Sequence, residues 1–386
     1  YYTEPLCTPA RAAILTGRYP LRYGLHAGNV RPWARHGLPP DERTLAEALR
    51  DAGYATSIVG KWHLGYARQS LLPRSQGFDH QYGCYQGSID YYEHTHGNFG
   101  GLDWHRDGVP LREKGYATDL IADEAIRQIT NHDPDTPFFL YLAFTAAHGP
   151  YAAPEECAQG YDFISDAEHR AYAGVLTCLD RAVGRVVDAL DQSALADNAL
   201  LVFCADNGSG FDSTAPGADT RHGKGTMYEG ALRVPAIVRW RGRLDGGRSV
   251  ATPVHAVDWY PTLVRLAGGS LDQPRPVDGV DIWPAIARGE PLDRDCMLLS
   301  YDGTQGALRC GDWKLVSRTL GKMRTTELYD VAHDLSERSD VADAHAELVA
   351  ELTRALDRFA AAAAEPLYER KPESFTPPAI WQPIEP

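Results

Sequence analysis

Three apolar strand signals in this chain each run straight into a polar cluster, and no other feature restricts the fold as much. Ala55–Val59 leads into Lys61-Trp62-His63, Phe138–Phe144 into His148, and Ala199–Cys204 into Asp206-Asn207. A further strand signal spans Val234–Trp240. Helical patterns alternate with these strands. Pro9–Thr16 reads as a helix with Thr8 as N-cap, Pro9 in the first position and Gly17 as stop. A second follows Asp41, with Leu45, Leu49 and Ala52 on one face and Gly53 ending it; a third, near Thr118–Thr130, gathers Ile121, Ala125 and Ile129; a long one runs from about Ala167 to Leu190. Such alternation predicts an α/β fold with a mainly parallel or mixed sheet. In open α/β sheets, sites form beyond the carboxyl ends of the strands, so the three clusters are expected to serve one site. The pattern does not name the chemistry.

Pro and Gly thicken from Gly268 to Pro291, which predicts a large domain over 1–290 and a small one over 291–386. In the latter, Met297–Ser300, Ala307–Arg309 and Trp313–Val316 read as short strands, and Leu348, Leu352, Leu356 and Phe359 form one side of a terminal helix. The Pro-rich tail after Glu365 is expected to wrap the surface.

With 38 basic and 52 acidic residues the formal charge is −14, a poor match for non-specific binding to nucleic acid or an anionic membrane. The longest apolar run, Phe138–Phe144, is too short to span a bilayer. The chain opens on Tyr1 rather than Met, so its natural N-terminus is expected to lie upstream, and a missing leader is no argument for the cytoplasm. Seven widely spaced Cys without a CxxC pair support neither a disulfide framework nor a zinc site, and Cys178 and Cys204, in apolar segments, read as buried thiols.

Cys7-Thr8-Pro9-Ala10-Arg11 places a thiol at a helix start, where backbone N–H groups and the helix dipole favour anions, with Arg11 one turn along. Alone, this is equally a buried or merely reactive Cys. Further on, Gly53 to Gly65 joins a helix stop, a strand and a polar loop in which Lys61 and His63, two apart on extended backbone, share a side. CTPAR with LTGRYP, and then GYATSIVGKWHLGY, resemble the two signature segments of the sulfatase family. FTAAHGPY, FCADNG and HGKGTMYEGALRVP are similar to later family segments, and LLPRSQGFDHQYG through GSIDYYEH most resembles the arylsulfatase B branch.

The resemblance implies an alkaline-phosphatase-like α/β domain followed by a small C-terminal domain with an antiparallel sheet. It implies that Cys7 is oxidised by a separate formylglycine-generating enzyme to Cα-formylglycine, whose hydrate attacks sulfur with one hydroxyl and expels sulfate with the other. By the same resemblance, Arg11 holds the hydrate and the charge on the metal side, Lys61 and Lys224 bind sulfate, and His63 assists the hydrate. His148 stands near the leaving-group oxygen as a general acid. Asp206 and Asn207, together with the residue made from Cys7, would ligate Ca²⁺ or Mg²⁺. The family's further metal carboxylates lie on a first strand that would precede Tyr1, so the strand and its ligands are expected to be missing here and the chain as it stands to be inactive.

For each residue a plainer role stands beside this one: a helix-surface ion pair for Arg11, a solvated Lys61, a packed His63, an ordinary loop His148, an Asp-Asn-Gly turn. Ser88, Asp90, Tyr91, Tyr92 and His94 fall where the resemblance suggests a pocket rim, and His222 either contacts substrate or lies on the surface. His94, His96 and His105 invite a transition-metal reading, against which an exposed loop is the better expectation. The implied reaction is hydrolysis of sulfate monoesters, of sulfated sugars or aryl sulfates, in an extracytoplasmic location. The rivals are a phosphate or phosphonate ester hydrolase of the same superfamily and a non-catalytic protein that binds sulfated ligands.

Overall fold

The computed structural model describes residues 1–210 and 220–385. In chain order the elements are α1 (Cys7–Thr16), α2 (Leu45–Asp51), β1 (Ala55–Gly60), β2 (His80–Gly83), β3 (His105–Arg106), β4 (Val109–Pro110), α3 (Ala117–Thr130), β5 (Phe138–Ala143), α4 (Glu155–Ala158) and α5 (Ala167–Gln192). There follow β6 (Leu200–Cys204), α6 (Glu229–Leu232), β7 (Ala236–Trp240), α7 (Trp259–Leu266), α8 (Trp283–Arg288), β8 (Cys296–Tyr301), β9 (Gln305–Cys310), β10 (Trp313–Leu320), β11 (Met323–Asp330) and α9 (Ala346–Ala360). Two compact units result: one comprises Tyr1–Val30, Leu201–Arg239 and Leu244–Tyr368, the other Arg31–Leu200, Trp240–Arg243 and Glu369–Pro386.

The second unit is built on a five-stranded mixed sheet of order β4-β3-β2-β1-β5. β1 runs parallel to both β2 and β5, while β2–β3 and β3–β4 are antiparallel. β1 reads Ala-Thr-Ser-Ile-Val-Gly and is buried from its second residue on, as a strand with neighbours on both sides and covered faces requires. Ile121, Ala122, Ala125 and Ile129 of α3 and Val175, Ala182 and Val186 of α5 form a core with Val59, Tyr82 and Trp104. This spacing of three and four is the helical period expected there. The tail differs from expectation: Trp381 is fully buried, its backbone N–H and indole N–H donating to the carbonyls of Leu102 and Gly100, so the tail is anchored by an aromatic side chain rather than laid on the surface.

In the first unit the four antiparallel strands follow the order β11-β10-β9-β8. Alternate residues serve two cores. Leu298, Leu308, Leu315 and Leu328 pack with Leu352 and Leu356 of α9 and with Ala13 of α1. Met297, Leu299, Ala307, Val316 and Tyr329 pack on the other side with Met227, Tyr228, Ala231 and Leu232. β11 has no counterpart among the expected strands, because its first half (Met-Arg-Thr-Thr) is largely polar and Leu328-Tyr329 is too short an apolar signal.

The cysteines correct the sequence reading. Cys157 of α4 is bonded to Cys178 of α5, and Cys296 of β8 to Cys310 of β9. Cys178 is therefore no thiol, and Cys204 is only partly buried. Helix contact and strand register create both pairs, the latter by setting Cys296 opposite Cys310; neither is visible in linear spacing. Cys7, Cys84 and Cys204 stay outside disulfides.

Candidate active site

α1 begins two residues earlier than its composition suggests. Leu6, in extended backbone, is the N-cap, Cys7 is the first helical residue, and Gly17 closes the helix in the left-handed region. Thr8 does not cap because its side chain has a tertiary use: its Oγ1 accepts from the Val30 N–H at 3.0 Å, and its own N–H donates to Asn29 Oδ1 at 2.9 Å. Cys7 is 1% exposed and lies in the first turn of a ten-residue helix, within its positive end.

Two cations meet this helix start. Lys224 Nζ donates to Cys7 Sγ at 3.1 Å. Arg11, one turn along, donates from Nε and Nη2 to Asp206 Oδ2 at 3.0 and 2.9 Å. The Asp206 carbonyl in turn accepts from Thr3 Oγ1 at 2.8 Å. The Lys224–Cys7 and Arg11–Asp206 pairs thus lie one helical turn apart on α1, within the first unit.

Backbone hydrogen bonds stitch their loops together. Lys224 N–H donates to Ser209 O, Gly225 N–H to Pro5 O, Gly208 N–H to Ala231 O and Gly230 N–H to Arg221 O. At Gly230 a side chain is excluded by contact, since a Cβ there would stand 1.9 Å from His222 O. His222, on the same segment, packs its ring against Tyr228 at 4.9 Å between centroids.

Asp206 and Asn207 carry the oxygens that could hold a divalent cation. Asn207 Nδ2 donates to Gly208 O at 2.8 Å, while its Oδ1 is buried and takes no hydrogen bond among the described residues. An orphaned buried amide oxygen beside a carboxylate fits a hard cation such as Ca²⁺ or Mg²⁺. Among the described residues no group of three His, Cys, Asp or Glu side chains is placed to hold a metal.

In the second unit the backbone beyond β1 carries Lys61 and His63, both buried. Lys61 N–H donates to Ala143 O, Trp62 N–H to Cys84 O and His63 N–H to Tyr85 O, so the sheet's pairing continues into the polar segment. His63 is held at φ 59°, a left-handed conformation uncommon for a residue with a Cβ. Its ring lies against Gly87, where a Cβ would come within 2.2–2.8 Å of three ring atoms. Asp103, fully buried, accepts from the Tyr85 and Gln86 N–H groups at 2.9 and 2.8 Å and fixes the approach to that glycine. Burial pushes its carboxyl up to about 7.

Gly87→Ala is accordingly expected to force the His63 ring aside, at a cost of about 1–3 kcal/mol for overpacking. Calorimetry should show Tm lowered by about 1–4 degrees; an unchanged Tm would mean the ring moves without resistance.

Ser88 and His148 are brought together, for Ser88 Oγ and His148 Nδ1 both meet Gly149 O, at 2.8 and 2.7 Å. Tyr91 OH donates to His148 O at 2.9 Å. Asp90 is occupied with its own turn, accepting from the Tyr92 and Glu93 N–H groups. The exposed-loop expectation for His94, His96 and His105 is corrected: all three are buried and pack on Trp104, Trp381 and Tyr85 respectively. Burial lowers the latter two imidazoles to about 4. Neither Gly87 nor Asp103 stands out in the sequence, since a glycine and an aspartate in a polar loop carry no periodic signal.

The family model for sulfatases matches residues 1–270. The chain belongs to the sulfatase family. The C-terminal model of N-sulphoglucosamine sulphohydrolase matches residues 219–362. Among curated sulfatases, Arylsulfatase J of Mus musculus is 31% identical over 99% of this chain and 73% of its own length. N-acetylgalactosamine-6-sulfatase of the same species is 33% identical over 81% of this chain and 63% of its own length. The crystal structure of Ps i-CgsB in complex with k-i-k-neocarrahexaose is 29% identical with a TM-score of 0.85, covering 96% of this chain and 86% of that one. The expected class, an alkaline-phosphatase-like α/β fold with a mixed sheet and a C-terminal antiparallel sheet, therefore holds.

Proposed function

We propose that this sulfatase hydrolyses sulfate monoesters, with the residue made from Cys7 as nucleophile and a sulfated sugar as substrate. The observation that carries the reading is the contact of Lys224 Nζ with Cys7 Sγ at the positive start of α1, one turn from the Arg11–Asp206 pair. It gathers a nucleophile position, an anion-stabilising field and a cation-ready carboxylate on one helix start. A sulfated sugar agrees with the relatives, one named for N-acetylgalactosamine-6-sulfate chemistry and one holding a neocarrahexaose.

As formylglycine, residue 7 would supply a geminal diol, one hydroxyl to attack sulfur and one to release sulfate. A Ca²⁺ or Mg²⁺ on Asp206, Asn207 and residue 7 would neutralise sulfate charge. The chain's own side chains do the rest. Arg11 keeps Asp206 oriented, Lys224 and Lys61 hold sulfate oxygens, and His63 takes and returns the proton of the residue-7 hydroxyl. His148 gives a proton to the departing alkoxide, its Nδ1 anchored on Gly149 O so that Nε2 is left for that task. Ser88, Asp90 and His222 are assigned to substrate contact. Maturation requires a formylglycine-generating enzyme as partner. Two disulfides suit an oxidising, extracytoplasmic compartment; no helix among the described residues is long and apolar enough to cross a membrane.

Rates on 4-nitrophenyl sulfate and 4-nitrophenyl phosphate, with the same leaving group, test the reaction class in protein matured by a formylglycine-generating enzyme and with any segment that precedes Tyr1 in place. The expected kcat/KM favours sulfate on the order of a hundredfold, about 2.7 kcal/mol. Preference for phosphate would move the chain to the phosphoesterase reading.

A further inference from the structure

The geometry points to Lys314 as a positioning residue that reaches the reaction centre through the segment bearing Lys224; the functional part of this inference rests on the sulfatase reading above. Lys314 lies on β10, on the face turned toward Met227 and Tyr228. It is 0% exposed, as is Glu229, and Glu337 is 1% exposed. Its Nζ stands 2.9 Å from Glu229 Oε1 and 2.7 Å from Glu337 Oε1. Glu337 also accepts the Glu229 backbone N–H at 2.7 Å through its other oxygen. Tyr2 OH, itself taking a hydrogen bond from Arg309, donates to Glu229 Oε2 at 2.9 Å. An ammonium buried this deeply is held only because two carboxylates surround it.

The purpose of so costly a cluster is read from what it grips. The segment from Arg221 to Leu232 presents Lys224 to Cys7, and β10, β11 and the turn after them clasp it on both sides of that lysine. Upstream, Arg221 donates to Tyr329 OH at 2.8 Å and to Glu337 O at 3.2 Å. Downstream, Tyr228 OH donates to Glu327 at 2.8 Å, and Glu229 enters the Lys314 cluster. Lys224 sits between these clamps, its own N–H bound to Ser209 O and that of Gly225 to Pro5 O. The small C-terminal sheet thereby sets where the Lys224 ammonium points. An apolar core would hold the segment against the sheet but leave it free to slide; a lysine between two carboxylates specifies one register.

The test compares protein matured by a formylglycine-generating enzyme, with any segment that precedes Tyr1 in place, with its Lys314→Met variant by amide hydrogen exchange and by steady-state kinetics on a sulfate ester. Exchange in 221–232 is expected to accelerate tenfold or more, with α1 and α9 at their original rates. KM is expected to rise tenfold or more at nearly constant kcat, the signature of a misplaced binding group rather than of general unfolding. Unaltered exchange in 221–232, or a loosened segment with the original KM, overturns the assignment. Should Lys314→Met not fold, Glu337→Gln keeps the Lys314–Glu229 pair, weakens the hold on the Glu229 N–H, and is read by the same two measurements, with changes of about threefold expected. Exchange needs no turnover, so it judges the grip on 221–232 separately from the sulfatase reading, which the kinetics alone test.

Discussion

Cys7→Ser is expected to turn the sulfatase from a catalyst into a reagent consumed once. A serine at position 7 keeps an oxygen within reach of Lys224, at the first turn of α1 and one turn from Arg11. Its hydroxyl can attack sulfur, the bond from sulfur to the alcohol oxygen breaks, and the alcohol departs with the proton that serine loses. What remains is a serine sulfate ester, which carries no second hydroxyl on the same carbon to drive sulfate out. A chromogenic sulfate ester should give one equivalent of alcohol per chain. Steady turnover should then fall at least a thousandfold, about 4 kcal/mol in barrier. Mass spectrometry should find one SO₃ added to the peptide that ends at Arg11. Sustained turnover by this variant at the original rate would place the nucleophile elsewhere.

Glu4→Gln is expected to remove a substantial share of the loss of stability between weakly acidic and weakly alkaline pH. Glu4 lies three residues before Cys7, is 2% exposed, and accepts from Ser300 Oγ at 2.5 Å. Burial, only partly countered by that hydrogen bond and reinforced by Asp302, pushes its carboxyl up to about 8. The folded chain therefore keeps this proton until about pH 8, whereas an unfolded chain gives it up near the ordinary value of 4.5. Between those limits the unfolded state binds fewer protons, so stability is full below the lower value, declines as pH rises, and levels off above the upper one. The decline is on the order of a few kcal/mol. An amide of the same shape carries no such proton. Calorimetry should place Glu4→Gln close to the original Tm at pH 5 and several degrees above it at pH 8. Parallel Tm-against-pH curves for the two chains would contradict a protonated Glu4.

Much of this was legible because the relevant physics is local. β1, β5 and β6 announced themselves as apolar runs; β1 and β5 pair in one sheet, whereas β6 pairs with β7 in another, a division that no local signal states. α3 and α5 were readable from a period of three and four. The misreadings share a cause. Thr8 looks like an N-cap until its hydroxyl is claimed by Val30, a contact 22 residues away. Cys296 and Cys310 look unrelated until an antiparallel register sets them opposite one another. His94, His96 and His105 look like a polar loop until Trp104, Trp381 and Tyr85 cover them. β11 pairs along its whole length with β10 while offering little apolar signal of its own. In each case a partner, whether the neighbouring strand of a hairpin or a residue farther along the chain, and not composition, settles the outcome.

The reading of Lys224 with Cys7 shows the same division. The types of residue at the helix start were readable, but the 3.1 Å contact across 217 positions was not, nor were the charges of Glu229, Glu337 and Lys314 behind it.

The central claim is that Cys7 is the precursor of the nucleophile, and the mass of its peptide tests it most directly. The chain should be produced together with a formylglycine-generating enzyme, alongside a control sulfatase, and the peptide ending at Arg11 weighed. An aldehyde or its hydrate at position 7 is the predicted result. An intact thiol there, in cells where the control sulfatase has been converted, would contradict the account.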